Sequence, residues 1–140
     1  MGARTKARKR ALDLCFEAEL RGLPLDGTLE QHVQSRQAAG EQPLNDYTVI
    51  LVRGVVAHQE RIDAVLAEFS VGWSLDRMPA VDRNLLRIGA YEVLLVEDVP
   101  DAVAISEAVN LARELSTDES PRFVNGVLAR IEERRPSVTG

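Results

Sequence analysis

The chain has 140 residues, of which 45% are apolar and 28% are charged, and its formal net charge at pH 7 is −5. These values exclude a disordered chain and predict a single globular domain over residues 1–140 with a core of its own. The one cysteine excludes an internal disulfide. No apolar run reaches the roughly 18 residues of a membrane span, and none forms the apolar core of a signal peptide. We therefore expect a cytoplasmic protein.

The first predicted helix runs from about Thr5 to Leu20 and begins inside a basic segment. An apolar stripe at helical spacing supports it, made of Ala7, Ala11, Leu14, Cys15 and Ala18. Cations on a first helical turn are unfavourable beside the positive end of the macrodipole. An anion is therefore expected to meet them, with nucleic acid as the leading candidate and a solubilising or disordered tail as the alternative. The cations are Arg4, Lys6, Arg8, Lys9 and Arg10.

Helical spacing continues through the next part of the chain, with hardly any strand signal. A short second helix is expected to be capped by Thr28 and to end before Gly40. A long helix follows from Asn45 to about residue 70, with a bend or break at Gly54. Trp73 lies in the connector that comes next and is expected to cover the core.

Proline marks the start of three further helices. The first follows Pro79, the second begins near Pro100, and the third begins at Ser120 and Pro121. The sequence therefore predicts six or seven helices joined by short loops, which together make a compact all-α bundle.

Two residues inside these helices predict close packing. Glu92 shares a helical face with Leu85 and Ile88, so we expect it to be buried and tied to an arginine or to a helix N-terminus. Gly126 lies in the middle of the last helix, where glycine costs about 1 kcal/mol relative to alanine. A close approach of two helix backbones would explain it.

The sequence lacks the usual patterns of catalytic and metal sites. His32 and His58 have no partner at i+3 or i+4, and one cysteine cannot complete a thiolate metal site. There is no glycine-rich phosphate loop and no nucleophile elbow. We therefore expect no enzymatic activity, no metal and no cofactor.

Two groups of side chains are better suited to binding. Phe16 projects away from the apolar stripe of its helix, so it is expected to be exposed and able to contact a base or a protein. Arg122, Phe123 and Asn125 offer a cation for phosphate, a ring for stacking and an amide for a base edge. Core packing of Phe123 and a helix-to-helix hydrogen bond from Asn125 are the alternatives.

Mixed charges surround the start of the helix after Pro79. Most such charges are merely solvated, and a protein-docking patch is the alternative. They include Asp76, Arg77, Asp82, Arg83 and Arg87.

Four stretches of the chain resemble the NusB family of bacterial transcription antitermination factors. They are Lys6–Leu20, Ala80–Pro100, Ala104–Ser116 and Arg122–Ile131. The resemblance is most specific from Phe123 to Leu128, and residues 22–45 carry little of it. The composition and the three proline-marked helix starts resemble actinobacterial members in particular.

The resemblance implies an all-α fold of about seven helices in two packed sub-bundles and a role without catalysis. NusB-like proteins pair with a small-subunit ribosomal protein, also called NusE, and together with it bind the boxA element of nascent RNA. This helps RNA polymerase, with other Nus factors, to read through terminators in ribosomal RNA operons.

Matching positions carry these roles onto single residues. The basic segment Arg4, Lys6, Arg8, Lys9 and Arg10 matches the family's RNA-binding segment. A second block assigned to RNA contains Arg122, Phe123 and Asn125. Positions facing the ribosomal protein match Asp82 and, more weakly, Asp76, Arg83 and Phe16. Phe16 replaces the usual tyrosine of the family, so a hydroxyl contact is missing.

An interpretation from another class also fits the residues. The chain would then be a helical protein-interaction module or homodimer with little intrinsic RNA binding, in which the basic segment contacts an acidic partner.

Overall fold

A computed structural model describes residues 2–138, and every regular element within that range is helical. The predicted all-α class is therefore confirmed. The described residues hold six α-helices and one 3-10 turn, in agreement with the six or seven predicted from the helical spacing and one fewer than the seven or so implied by the resemblance. These elements are α1 (Ala3–Arg21), α2 (Leu25–Ala38), α3 (Asp46–Phe69), the 3-10 turn Leu75–Arg77, α4 (Ala80–Leu95), α5 (Asp101–Leu115) and α6 (Ser120–Arg134). None of the helices in this range combines the length and the apolar character that crossing a membrane requires.

The chain divides into two compact units, Met1–Ala57 and His58–Gly140. In the first unit, the predicted apolar stripe of α1 is buried along its whole length, including Cys15. The helix ends at Gly22, whose φ of 65° is the left-handed conformation that glycine adopts without steric cost. The Thr48 hydroxyl of α3 donates to the Ala7 carbonyl at 3.0 Å and so fixes α3 against α1.

Two details of the predicted helices in this unit are wrong. The second helix begins at Leu25 after Pro24 rather than at Thr28, because Pro24 occupies the cap position and the Thr28 hydroxyl donates back to the Pro24 carbonyl at 3.0 Å. α3 continues through Gly54 without a break. The side chains around Gly54, such as Leu51 and Val55, are fully buried. Their packing outweighs the roughly 1 kcal/mol that a helical glycine costs.

In the second unit, the close helix approach lies at Gly89 and not at Gly126. A Cβ added at Gly89 would lie 2.7 Å from Leu128 Cδ1 and 3.6 Å from Ala108 Cβ, so α4, α5 and α6 meet there. At Gly126 the nearest atoms belong to the guanidinium of Arg130, 3.3 Å from an added Cβ. Arg130 uses that space to donate two hydrogen bonds to the Phe69 carbonyl, at 3.2 and 2.9 Å.

The predicted starts of α4, α5 and α6 agree with the structure to within a few residues. Pro79 and Pro100 occupy the cap positions of α4 and α5, and Pro121 lies in the first turn of α6. Glu92 is 1% exposed, which confirms the burial expected from the helical projection. The last of these helices, α6, carries the second block of candidate binding residues.

Candidate nucleic-acid interface

The five cations of α1 lie in different environments. Arg4, Lys6 and Arg10 are exposed, and Lys9 is partly exposed. Arg8 is only 3% exposed, because it shares a helical face with the buried Leu12 and Cys15. The prediction that Arg8 contacts RNA therefore conflicts with its burial.

Arg8 instead packs against an aromatic ring of α3. Its guanidinium carbon lies 5.5 Å from the ring centroid of Tyr47, and that of Arg4 lies 4.3 Å from the same centroid. Both distances are within the range of a cation–π interaction. Tyr47 is itself held at the start of α3, where its backbone N–H donates to the Asn45 side chain at 2.8 Å. One buried ring thus positions the exposed guanidinium of Arg4 and the buried one of Arg8.

Lys6 and Arg10 line a groove of about 540 Å³, together with Ala3 and Ala7 of the same helix. Their spacing of four residues places them on one side of α1. The opposite wall contains Arg36 of α2 and the segment Gln42–Asn45. Three cations therefore line one groove within the first unit, and we call it the basic groove.

Arg36 belongs to this site although no sequence motif assigned it there. The Arg36 Nε donates to the Gln42 carbonyl at 2.7 Å, and its Nη1 lies 3.7 Å from the Glu41 carboxylate. The only available signal was an arginine in the last turn of the second helix, in the part of the chain with little family resemblance.

Lys9 lies 3.7 Å from Asp13, four residues on, and the two side chains are 41% and 50% exposed. Exposed pairs of this kind contribute about 0–1 kcal/mol, so Asp13 competes only weakly with another anion. Lys9 therefore belongs with the exposed cations of α1.

The residues of the second block do not all converge. Arg122 and Asn125 are exposed and line a cleft of about 520 Å³, which also contains Arg113. Phe123 is half-buried and packs edge-on against Trp73, with ring centroids 5.2 Å apart and an interplanar angle of 74°. The structure thus places Arg122 and Asn125 in one cleft together with Arg113, whereas the Phe123 ring packs against Trp73.

Asp82 was expected to face a protein partner, but it is fully buried. Its carboxylate accepts hydrogen bonds from the Ser116 hydroxyl at the end of α5 and, at 2.8 Å, from the Ser120 hydroxyl at the start of α6. The prediction of a direct contact therefore conflicts with the structure. These two hydroxyls satisfy the carboxylate, which in turn fixes the turn between α5 and α6.

The other residues expected to face a partner are accessible to different degrees. Asp76 is exposed, and Phe16 is 37% exposed, as its helical projection predicts. Arg83 is partly buried, and its Nη1 donates to the carbonyls of Leu75 and Met78 at 2.7 and 3.1 Å. Among residues 2–138, no group of three or more His, Cys, Asp or Glu side chains is arranged to hold a metal ion.

The comparisons with known proteins agree with one another. The model of the NusB family matches residues 5–133. A transcription antitermination protein NusB from Nocardioides sp. is 57% identical over 138 residues, covering 99% of each chain. One from Kineococcus radiotolerans is also 57% identical, over 140 residues and 99% of each chain.

Solved structures show the same fold. T. maritima NusB has a TM-score of 0.80 and 31% identity, with 94% of this chain and 92% of that chain covered. A crystal structure of antitermination factors NusB and NusE in complex with dsRNA has a TM-score of 0.77 and 26% identity, with 94% and 96% covered.

Proposed function

The chain belongs to the NusB family, and we propose that it binds boxA-type single-stranded RNA together with the small-subunit ribosomal protein NusE. In this role it is a transcription antitermination factor that promotes read-through in ribosomal RNA operons. It acts with RNA polymerase and the other Nus factors in the elongation complex, in the cytoplasm and without catalysis.

The observation that carries this proposal is the basic groove. Lys6, Arg10 and Arg36 line it in a chain whose net charge is −5. Lys6 lies in the first turn of α1, where the macrodipole opposes a cation, so its charge does not stabilise the helix, and Arg10 lies on the same side of α1 one turn later. A polyanion that meets this side of α1 explains their placement, because phosphates would replace the counterions that these cations otherwise attract.

Four exposed or partly exposed cations of α1 supply the electrostatic part of RNA binding. Each phosphate contact to a single strand contributes about −0.7 to the slope of log K against log salt, so four contacts give about −2.8. Arg8 acts indirectly, by packing beside Tyr47 beneath the basic segment. The four are Arg4, Lys6, Lys9 and Arg10.

We assign base selectivity to the second block. Arg122 and Asn125 are exposed in one cleft, where the guanidinium suits a phosphate and the amide suits a base edge. The half-buried ring of Phe123 offers its accessible part to a base, and its edge-on contact with Trp73 holds the ring in place.

We assign the ribosomal protein to Phe16, Asp76 and Arg83. Phe16 is accompanied on α1 by Leu20, which is 75% exposed, and just beyond the end of the helix by Leu23, which is 42% exposed. An exposed apolar row of this kind is typical of a protein contact. It also favours the second candidate function, a protein-interaction module or homodimer with little RNA binding of its own.

The family model spans both compact units, so we propose that residues 1–140 work as one RNA-binding domain. A single cooperative unfolding transition, observed by both circular dichroism and tryptophan fluorescence, is the expected result. Two separate transitions would contradict it.

A titration of labelled boxA-like RNA tests the proposed function. Fluorescence anisotropy is measured at several salt concentrations, with and without the ribosomal protein, and with a scrambled RNA as the control. Without the partner, we expect a slope of about −2.8. The double substitution Lys6→Gln/Arg10→Gln should reduce it to about −1.4, whereas Arg53→Gln on the exposed side of α3 should leave it unchanged. Binding without salt dependence, or no binding even with the partner present, would refute the proposal.

A further inference from the structure

The end of α2 holds two opposite charges in a fixed arrangement. Gly40 has a φ of 69°, and this left-handed turn lets the Glu41 N–H donate to the Arg36 carbonyl at 2.9 Å. The Gly40 N–H donates to the Gln37 carbonyl at 3.2 Å in the same turn. This pair of hydrogen bonds is a Schellman motif, and it places the backbone of Glu41 beside that of Arg36.

The Arg36 side chain is oriented before any ligand arrives. Its Nε donates to the Gln42 carbonyl at 2.7 Å, and the side chain is only 27% exposed. This bond leaves the two Nη groups for other acceptors. A guanidinium held in this way loses little conformational freedom when it binds a phosphate.

The carboxylate paired with the Arg36 Nη1 is weakly bound. The Glu41 carboxylate lies 3.7 Å from Nη1 and is 58% exposed. That distance exceeds the roughly 2.7–2.9 Å of a charge-assisted hydrogen bond. A phosphate in the basic groove would meet Arg36, Lys6 and Arg10 together, so it can displace Glu41 from Arg36.

We propose that Arg36 contacts an RNA phosphate in the basic groove and that Glu41 is an internal anion competing with the RNA for it. This proposal rests on the proposed function and extends the RNA site beyond α1 to α2. The competing carboxylate lowers affinity for every RNA sequence alike, because it acts on the phosphate contact rather than on a base.

Two substitutions of opposite effect test the proposal in the RNA titration. With Arg36 as a fifth phosphate contact, the parent slope becomes about −3.5. Arg36→Gln should return the slope to about −2.8, the value for the four α1 cations alone, and lower the affinity at 0.1 M salt about fivefold. Glu41→Gln should raise the affinity roughly two- to fivefold. In the double variant Arg36→Gln/Glu41→Gln, the increase in RNA affinity caused by Glu41→Gln should disappear, because the Arg36 guanidinium for which Glu41 competes is absent.

Matched controls separate a local effect from net charge and from misfolding. Glu30→Gln changes the net charge as Glu41→Gln does, at an exposed position within α2, and should leave affinity unchanged. Arg53→Gln is the corresponding control for Arg36→Gln. Arg36→Lys keeps the charge, so it should restore most of the salt slope that Arg36→Gln removes. Thermal melts establish that each variant is folded.

Several outcomes would overturn the proposal. One is an Arg36→Gln variant that binds RNA with the parent's affinity and slope. Another is an equal gain from Glu41→Gln and Glu30→Gln, which would show a general charge effect. A loss of ribosomal-protein binding with RNA binding intact would make this a protein surface. If Arg36→Gln has no effect but Lys6→Gln/Arg10→Gln still makes the salt slope less steep, only the Arg36 proposal is refuted. If Lys6→Gln/Arg10→Gln also has no effect on the slope, the proposed function is refuted as well.

Discussion

Arg8 and Arg10 lie on the same helix, but their replacement should have different effects. Replacing Arg8 should lower stability, and replacing Arg10 should weaken RNA binding. Arg8→Gln removes a guanidinium from the Tyr47 ring and leaves a buried amide in its place. The lost cation–π contact and packing should lower the free energy of unfolding by about 1–2 kcal/mol. In a chain of this size, that corresponds to a decrease in Tm of roughly 3–7 °C. The salt slope of RNA binding should not change, because Arg8 makes no phosphate contact.

Arg10→Gln is the matched control, since it changes the same residue type two positions later. Arg10 is exposed, so its replacement should alter stability by no more than about 0.5 kcal/mol and make the slope about 0.7 less steep. Urea denaturation followed by circular dichroism measures the first quantity, and RNA anisotropy at several salt concentrations measures the second. An Arg8→Gln variant of unchanged stability whose slope decreases as much as that of Arg10→Gln would refute the assignment.

Two other pairs of substitutions test the packing of the second unit. Gly89→Ala should destabilise the protein by about 1–2 kcal/mol, because its new Cβ would lie 2.7 Å from a buried leucine. Gly126→Ala should be neutral or should stabilise the protein by up to about 1 kcal/mol. If urea denaturation gave the same change in stability for both variants, this description of the packing would be wrong. Asp82→Ala removes the acceptor of two hydroxyls and should cost about 2–3 kcal/mol, while Asp76→Ala should leave stability within about 0.5 kcal/mol and weaken binding of the ribosomal protein. Calorimetry and a pull-down measure the two effects, and an Asp82→Ala variant as stable as the parent would show that the buried network contributes nothing.

Local signals account for most of the fold. Pro79, Pro100 and Pro121 have a fixed φ and no N–H, so they mark helix starts wherever tertiary packing permits. The wrong details arose where packing or a neighbouring residue outweighed a local preference. Gly54 lies inside a helix whose flanking side chains are buried, and Thr28 follows a proline that had already taken the cap position.

The candidate site was less predictable, because access to a side chain depends on residues distant in sequence. The charge pattern alone makes Arg8 and Arg10 equivalent, and only the packing of Tyr47 distinguishes them. Asp82 became a buried acceptor because Ser116 and Ser120 approach it from two other helices. Helical projection did succeed for Phe16, whose exposure depends only on its own helix.

The arrangement at the start of α6 has a practical consequence. Trp73 is the only tryptophan of the chain, and it lies edge-on to Phe123. Intrinsic emission excited at the indole band therefore originates from a single place, next to the second block. Binding of a ligand near Phe123 can therefore be followed by the change in Trp73 fluorescence, without attaching a dye.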